Sequence, residues 1–314
     1  MSAKQEKEQF EKQLPIIHER ARLQFIGVDG YDVYNCSAPF IHNGKRCLYG
    51  RVEKREDWSN SRVMLFEETE KDVFKYVDET VLYPLEDPFI CKHNNEWLLG
   101  GVHVVKTFGD IKTYYCYFYR TEDINKPLYY TTGPDRMKDI RMVSLNDKLA
   151  VFTRPGDQVG YTEISGIEEL SEEVLNNAEL IDLIKDGGHG GVNQAIRLDS
   201  GLIAIIGHDS FSFPKENDWY SQHHVYFATA SVFDPVTKKV LMNKILATRS
   251  CFVPDTPCKM LPSGIPMADI VFPSGILLRE DGKIDLYTGV GDATAQRITL
   301  DNPFKDYGNL VFDW

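Results

Sequence analysis

One hairpin recurs five times along this chain, and that recurrence constrains the fold more than any other feature. The copies lie at residues 38–52, 87–102, 141–154, 195–208 and 275–289. In each, an apolar or alternating run meets an Asn, Asp or Gly turn and returns as a second apolar run. Those turn residues tolerate the positive φ that a tight hairpin needs. The turns fall at Asn43, Asn94, Asn146, Asp199 and Asp281, with separations of 51, 52, 53 and 82 residues. The excess of the last interval lies in the stretch 209–268. A near-constant period with room for two further strands describes a propeller blade, so the pattern predicts an all-β, five-bladed β-propeller. A β-sandwich would place turns every ~8–12 residues and would have no reason to repeat.

No linker interrupts the pattern, so residues 1–314 read as one propeller domain, with 1–30 as a helical covering segment. Phe10, Leu14, Ile17 and Ala21 follow helical spacing and predict a helix within 3–24, kinked or interrupted at Pro15. A second short helical turn is expected in 168–185, with Ser171 as its N-cap.

With 35 basic against 47 acidic residues, a net charge of −12 argues against gripping a nucleic-acid backbone. No apolar run reaches the ~18–20 residues of a spanning helix, and the charged N-terminus lacks a signal-peptide core. The expectation is a cytoplasmic protein without membrane contact. Six cysteines without a C-x-x-C pair sit in apolar, strand-like surroundings and read as reduced packing residues, with no metal site.

The innermost strand of each blade lines the axial channel, so polar residues entering those strands converge. They are Asn35, Asp87, Asp139, Asn193 and Asp269. Burial and like charge raise carboxylate pKa values, which can keep one protonated as a general acid. Arg51, Lys138, Arg141 and Arg154 lie nearby in sequence to offset the remainder. Carboxylates and cations together suit sugar hydroxyls, and bond cleavage between carboxyl groups. Singly, each residue has a plainer reading. Asp87 before Pro88 sets an extended backbone, His208 ends a strand, and Asp292 serves a turn. Glu53 and Glu56 beside Arg51 and Arg55 read as a solvated charged face. Their equivalent places in a repeated unit are what single these residues out.

The segments resemble the five-bladed propeller glycosidase clan, specifically the mannoside phosphorylases and mannosidases of glycoside hydrolase family 130, and within the clan a bacterial branch. Leu48-Tyr49-Gly50-Arg51-Val52 followed by 61–66 is similar to the first blade, and Glu86-Asp87-Pro88-Phe89 to the Glu-Asp-Pro-Arg signature. Lys138-Asp139-Ile140-Arg141 and Phe152-Thr153-Arg154-Pro155 resemble the third blade. Ile206-Gly207-His208, Tyr226 to Asp234, 271–275 and 286–293 follow in the family's order.

The resemblance implies an inverting, single-displacement enzyme that cleaves a glycosidic bond in a small, mannose-containing oligosaccharide. Asp87 would be the proton donor, and Asn35, Arg51, Glu86 and Asp292 would bind the sugar. Lys138, Arg154, His208 and Tyr226 would hold phosphate, the co-substrate of a phosphorylase that otherwise needs no cofactor. Two positions depart from the pattern: Phe89 replaces the signature arginine and Thr153 a histidine. Hydrolysis therefore stands beside phosphorolysis, with Asp139 or Asp269 as base if ~6.5–9.5 Å from Asp87. The rival from another class is a carbohydrate-binding or interaction propeller without catalysis. The partner expected is a small oligosaccharide, and a homo-oligomer is compatible with the sequence.

Overall fold

A computed structural model describes residues 1–82, 84–107, 110–214 and 218–314. Its strands form five sheets, antiparallel but for one parallel pair in blade 1, set radially as a five-bladed β-propeller. The inner strand of blade 1 is broken into Asp32–Tyr34 and Phe40–His42, both paired with Lys45–Lys54. The other inner strands are Glu86–His93, Arg141–Leu145, His189–Leu198 and Val271–Leu278 for blades 2 to 5. Each repeated hairpin is the turn from the inner to the second strand of its blade. Asn43, Asn94 and Asn146 take φ of 50°, 49° and 56° there, while Gly201 and Gly282 supply the positive φ in blades 4 and 5.

Side chains alternate across each strand, so each blade presents one apolar face to either neighbour. Leu48, Val52, Met64 and Phe66 of blade 1 pack with Leu277 and Tyr287 of blade 5. Their sequence neighbours Cys47, Tyr49, Val63 and Leu65 pack with Ile90, Trp97 and Leu99 of blade 2. Phe89 and Leu98 then meet Met142 and Val151 of blade 3. Phe152 and Tyr161 meet Ile205 and Phe233 of blade 4, and Ile206 and Val232 meet Val271 and Ile284 of blade 5. Five apolar seams thus close the ring.

The N-terminal helix is shorter than its spacing suggests. It spans Ala3–Phe10 with a Ser2 capping box, and sheet pairing takes the rest. Glu19–Arg22 adds to Thr294–Leu300 as the fourth strand of blade 5, and Gln24–Ile26 runs parallel to Val73–Leu82 in blade 1. A helix through Pro15 would leave blade 5 one strand short, so the hydrogen bonds of an open sheet edge outweigh helical propensity. Ser171 caps a short helix, Glu172–Asn176, through the Val174 N–H. At the other terminus Leu310–Val311 pairs with Arg197 and Leu198 on the inner edge of blade 4. Phe312 and Trp314 then join the seams beside blade 1.

The cysteines are unpaired among the described residues; five are buried and Cys258 is half-buried. Burial pushes the Cys116 thiol up to about 12, which suits packing rather than reactivity. The extra length between blades 4 and 5 lies in an extended hairpin (Ile203–Phe213, His223–Asp234) and the connector 248–270.

Candidate active site

The inner strands enter the channel through a common backbone device. Asn35, Asp87 and Asp139 all adopt positive φ, at 41°, 48° and 57°, a conformation Asn and Asp tolerate better than other non-glycine residues. The kink interrupts the ladder; in blade 2 the register shifts between Glu86 and Phe89. It turns the polar side chains to the mouth of the funnel, where two groups gather.

Blades 1, 2 and 5 supply an acidic group around Arg51. Its guanidinium lies 3.0 Å from Glu53, 3.2 Å from Glu86 and 3.1 Å from Asp87. Asn35 Nδ2 donates to Asp87 Oδ1 at 3.1 Å, and Asn35 also hydrogen-bonds the Asp292 carboxylate. Burial raises the Asp292 pKa, Lys259 and Arg51 pull it back, and Asp87 pushes it further up. Four carboxylates against Arg51 and Lys259 leave excess negative charge, which favours retaining a proton in the group.

Blades 3 and 4 supply a basic group. Arg154 pairs with the buried Asp139, and Arg141 stands 3.7 Å from the same carboxylate. Burial alone would raise the Asp139 pKa, but Arg154, Lys138 and Arg141 hold it far below the usual carboxylate range. Burial opposes charge on Lys138 as well, yet Asp139 keeps its pKa above the ordinary value. His208 Nδ1 donates at 2.7 Å to Asn193 Oδ1 and the ring stacks on that of Tyr226 at 5.6 Å. His189 lies 3.4 Å from the Tyr226 hydroxyl. Burial, then Arg154 and Lys138, lower the His189 pKa to about 4; burial likewise drives His208 well below its ordinary value. Both imidazoles are neutral at pH 7. Arg154 Nε and Asn193 Nδ2 are buried without a partner, so donors are left over.

The two groups share one electrostatic environment: Asp87 acts on Lys138, and Asp292 acts on Tyr226. An acid-rich group thus lies within electrostatic reach of a cation-rich one.

Ten of the eleven expected site residues fall in this funnel: Asn35, Arg51, Glu86, Asp87, Lys138, Asp139, Arg154, His208, Tyr226 and Asp292. Asp269 stands apart as an exposed residue whose backbone carbonyl accepts from the Tyr226 N–H. Asp139 is only 2% exposed and engaged by two arginines, which makes it a counter-ion; the idea of a water-activating base there does not suit the geometry. Glu53 is fully buried rather than part of a solvated face, because its strand pairs on both edges. Arg55 and Glu56 of that charged run are exposed, and Arg55 pairs with Asp32 at 2.7 Å. Spacing gave no hint of Tyr34, His189 or Lys259. Lys259 lies in the irregular connector, where no period marks it.

Gly289 shows how tightly the wall is built. A Cβ there would stand 2.0 Å from Asn35 Oδ1 and 2.8 Å from its backbone nitrogen. Gly289→Ala is expected to displace Asn35 from Asp87 and to cost about 1–3 kcal/mol. Urea unfolding together with turnover checks both effects.

The sequence matches over residues 8–306 the family described as a protein of unknown function, DUF1861. Nothing among curated proteins matches. Among solved structures, MPT-4, a mannose phosphorylase from Leishmania mexicana solved with phosphate ion, is 45% identical, with a TM-score of 0.89 over 99% of this chain and 96% of that one. MPT-1, a GDP-Man-dependent mannosyltransferase from the same organism, is 40% identical, with a TM-score of 0.90 over 99% and 97%. A structure described under the GH130 family of mannoside phosphorylases shares the fold, at 15% identity and a TM-score of 0.58 over 91% and 94%. Radial sheets and near-complete coverage agree: the chain belongs to the DUF1861 family and has the five-bladed β-propeller fold.

Proposed function

We propose that this protein is a mannoside phosphorylase that transfers a mannosyl residue from a small oligosaccharide to inorganic phosphate with inversion. The observation that carries the reading is the cationic pocket of Lys138 and Arg154, lined also by His208 and Tyr226, opposite Asp87, with Arg154 Nε buried and unpartnered. Charge-assisted donors of this kind bind an anion and orient it. The replacement of the signature arginine by Phe89 does not empty the pocket of cations: the Arg141 guanidinium lies over the Phe89 ring at 5.1 Å. The likeness to a mannose phosphorylase solved with phosphate supports the same choice.

In the reaction a phosphate oxygen bonds to the anomeric carbon from one face as the glycosidic C–O bond breaks on the other. The leaving oxygen takes the Asp87 proton, directly or through a sugar hydroxyl, and the proton carried by the attacking hydrogen phosphate restores Asp87. Asp292, Asn35 and Glu86 hold the sugar hydroxyls, and Arg51 fixes Asp87. Asp139 keeps Lys138 and Arg154 in place. No protein base is required, consistent with the full engagement of Asp139.

The test is incubation with short mannosides with and without phosphate. Mannosyl phosphate formed only with phosphate is the expected result. Free mannose formed equally without phosphate identifies a hydrolase, and chain extension from GDP-mannose alone identifies a transferase like MPT-1. Binding without any product leaves a lectin-like propeller.

A further inference from the structure

Among the described residues, Lys259 is the buried cation of the funnel that belongs to no blade. It is 2% exposed, in the connector between blades 4 and 5, and its backbone N–H is held by the Gly291 carbonyl at 2.8 Å, next to Asp292. Its ammonium contacts the Glu53 carboxylate and the Tyr34 hydroxyl, and it lies 4.6 Å from the centre of the Tyr34 ring. Tyr34 donates in turn to Glu53 at 2.5 Å, and Ser61 donates to the other Glu53 oxygen. Arg51 holds that same oxygen and reaches on to Glu86 and Asp87. Every link from Lys259 to Asp87 is therefore a direct contact.

We propose that Lys259 is a positioning residue for Asp87: by sharing Glu53 with Arg51, it leaves the guanidinium able to serve Glu86 and Asp87. Were Lys259 absent, Glu53 would face Arg51 with no second cation, and Arg51 would be drawn toward the fully buried carboxylate, because desolvation penalises an unpaired charge there most. The groups that face Lys259 are Glu53, Tyr34, Arg51, Asp292 and Asp32. Burial first, then Arg51, lower its own pKa to about 7, with Asp292 and Asp32 acting in the opposite direction. Its charge therefore responds to pH near neutrality. The inference deepens the proposed function, since it rests on Asp87 as the acid.

The experiment is a titration of the Asp87 carboxyl by carbon NMR, assigned with Asp87→Asn, alongside the pH profile of kcat/KM. Removing a nearby cation raises a carboxylate pKa, so Lys259→Met should move the Asp87 titration and the alkaline limb upward by about half to one unit. Lys259→Arg should leave both in place. Lys259→Met combined with Glu53→Gln removes one charge of each sign and should return both to the wild-type position, whereas a merely structural lysine would give additive losses. If Lys259→Met alone fails to fold, Glu53→Gln must lower the Asp87 titration. An unmoved Asp87 in folded Lys259→Met or Glu53→Gln, or a double variant as shifted as the single, overturns the proposal. The NMR arm reads Asp87 without turnover, so a wild type lacking phosphorolysis refutes the functional reading separately.

Discussion

Asp87→Asn is expected to lower kcat for the proposed phosphate-dependent cleavage by about 10²–10⁴-fold while sugar and phosphate binding persist. The amide keeps the acceptor oxygen that meets Asn35 Nδ2 and Arg51, at 3.1 Å each, so the site holds its shape. What is lost is the proton for the leaving oxygen. The loss should depend on the leaving group: a mannoside of a strongly acidic phenol needs little protonation and should recover much of the rate. Steady-state kinetics on the two substrate classes provides the check, and equal losses on both would remove Asp87 from the acid's role.

Arg154→Met is expected to act on binding and on stability together. The guanidinium is 6% exposed and pairs with a carboxylate that is 2% exposed. Breaking a buried pair from one side costs about 3–5 kcal/mol, and Lys138 and Arg141 beside Asp139 place this case near the lower end. The sign with pH follows from the depressed folded pKa of Asp139. Its stabilisation is fully present above the unfolded value of about 3.9 and is lost as pH falls through the lower, folded value. The difference between wild type and variant should therefore be large at pH 7 and close in acid, as urea unfolding at a series of pH values would measure. The KM for phosphate should rise about 10- to 100-fold, the loss of one charge-assisted hydrogen bond. A variant of unchanged stability and unchanged phosphate KM would remove Arg154 from the anion wall.

Much of the molecule is legible in its amino-acid order. Turn residues at Asn43, Asn94 and Asn146 mark the inner hairpins, because a tight turn demands a conformation few residues accept. Ser171 marks a helix start because its hydroxyl accepts the otherwise unpaired Val174 N–H. The segment 3–24 misleads, because its helical spacing is real but weak, and two of its stretches find open strand edges in blades 5 and 1. Glu53 misleads in the opposite way. Beside Arg51, Arg55 and Glu56 it reads as solvated, yet it lies within the buried strand Lys45–Lys54, while Arg55 and Glu56 sit in the exposed turn that follows.

The repeat, the blade count and the short polar residues that open the inner strands follow from residue order alone, since they depend on contacts within a few positions. Which charges meet was left to the closed ring. Arg51 serves Glu53, Glu86 and Asp87 from two blades, and Asp139 faces Arg154 and Arg141, so that one arginine is shared among three carboxylates and one carboxylate between two arginines. Lys259 enters from a connector without any period and reaches a tyrosine 225 positions away. Charge acts through space in a medium of low dielectric, and the distances that govern it are set by tertiary packing rather than by separation along the chain.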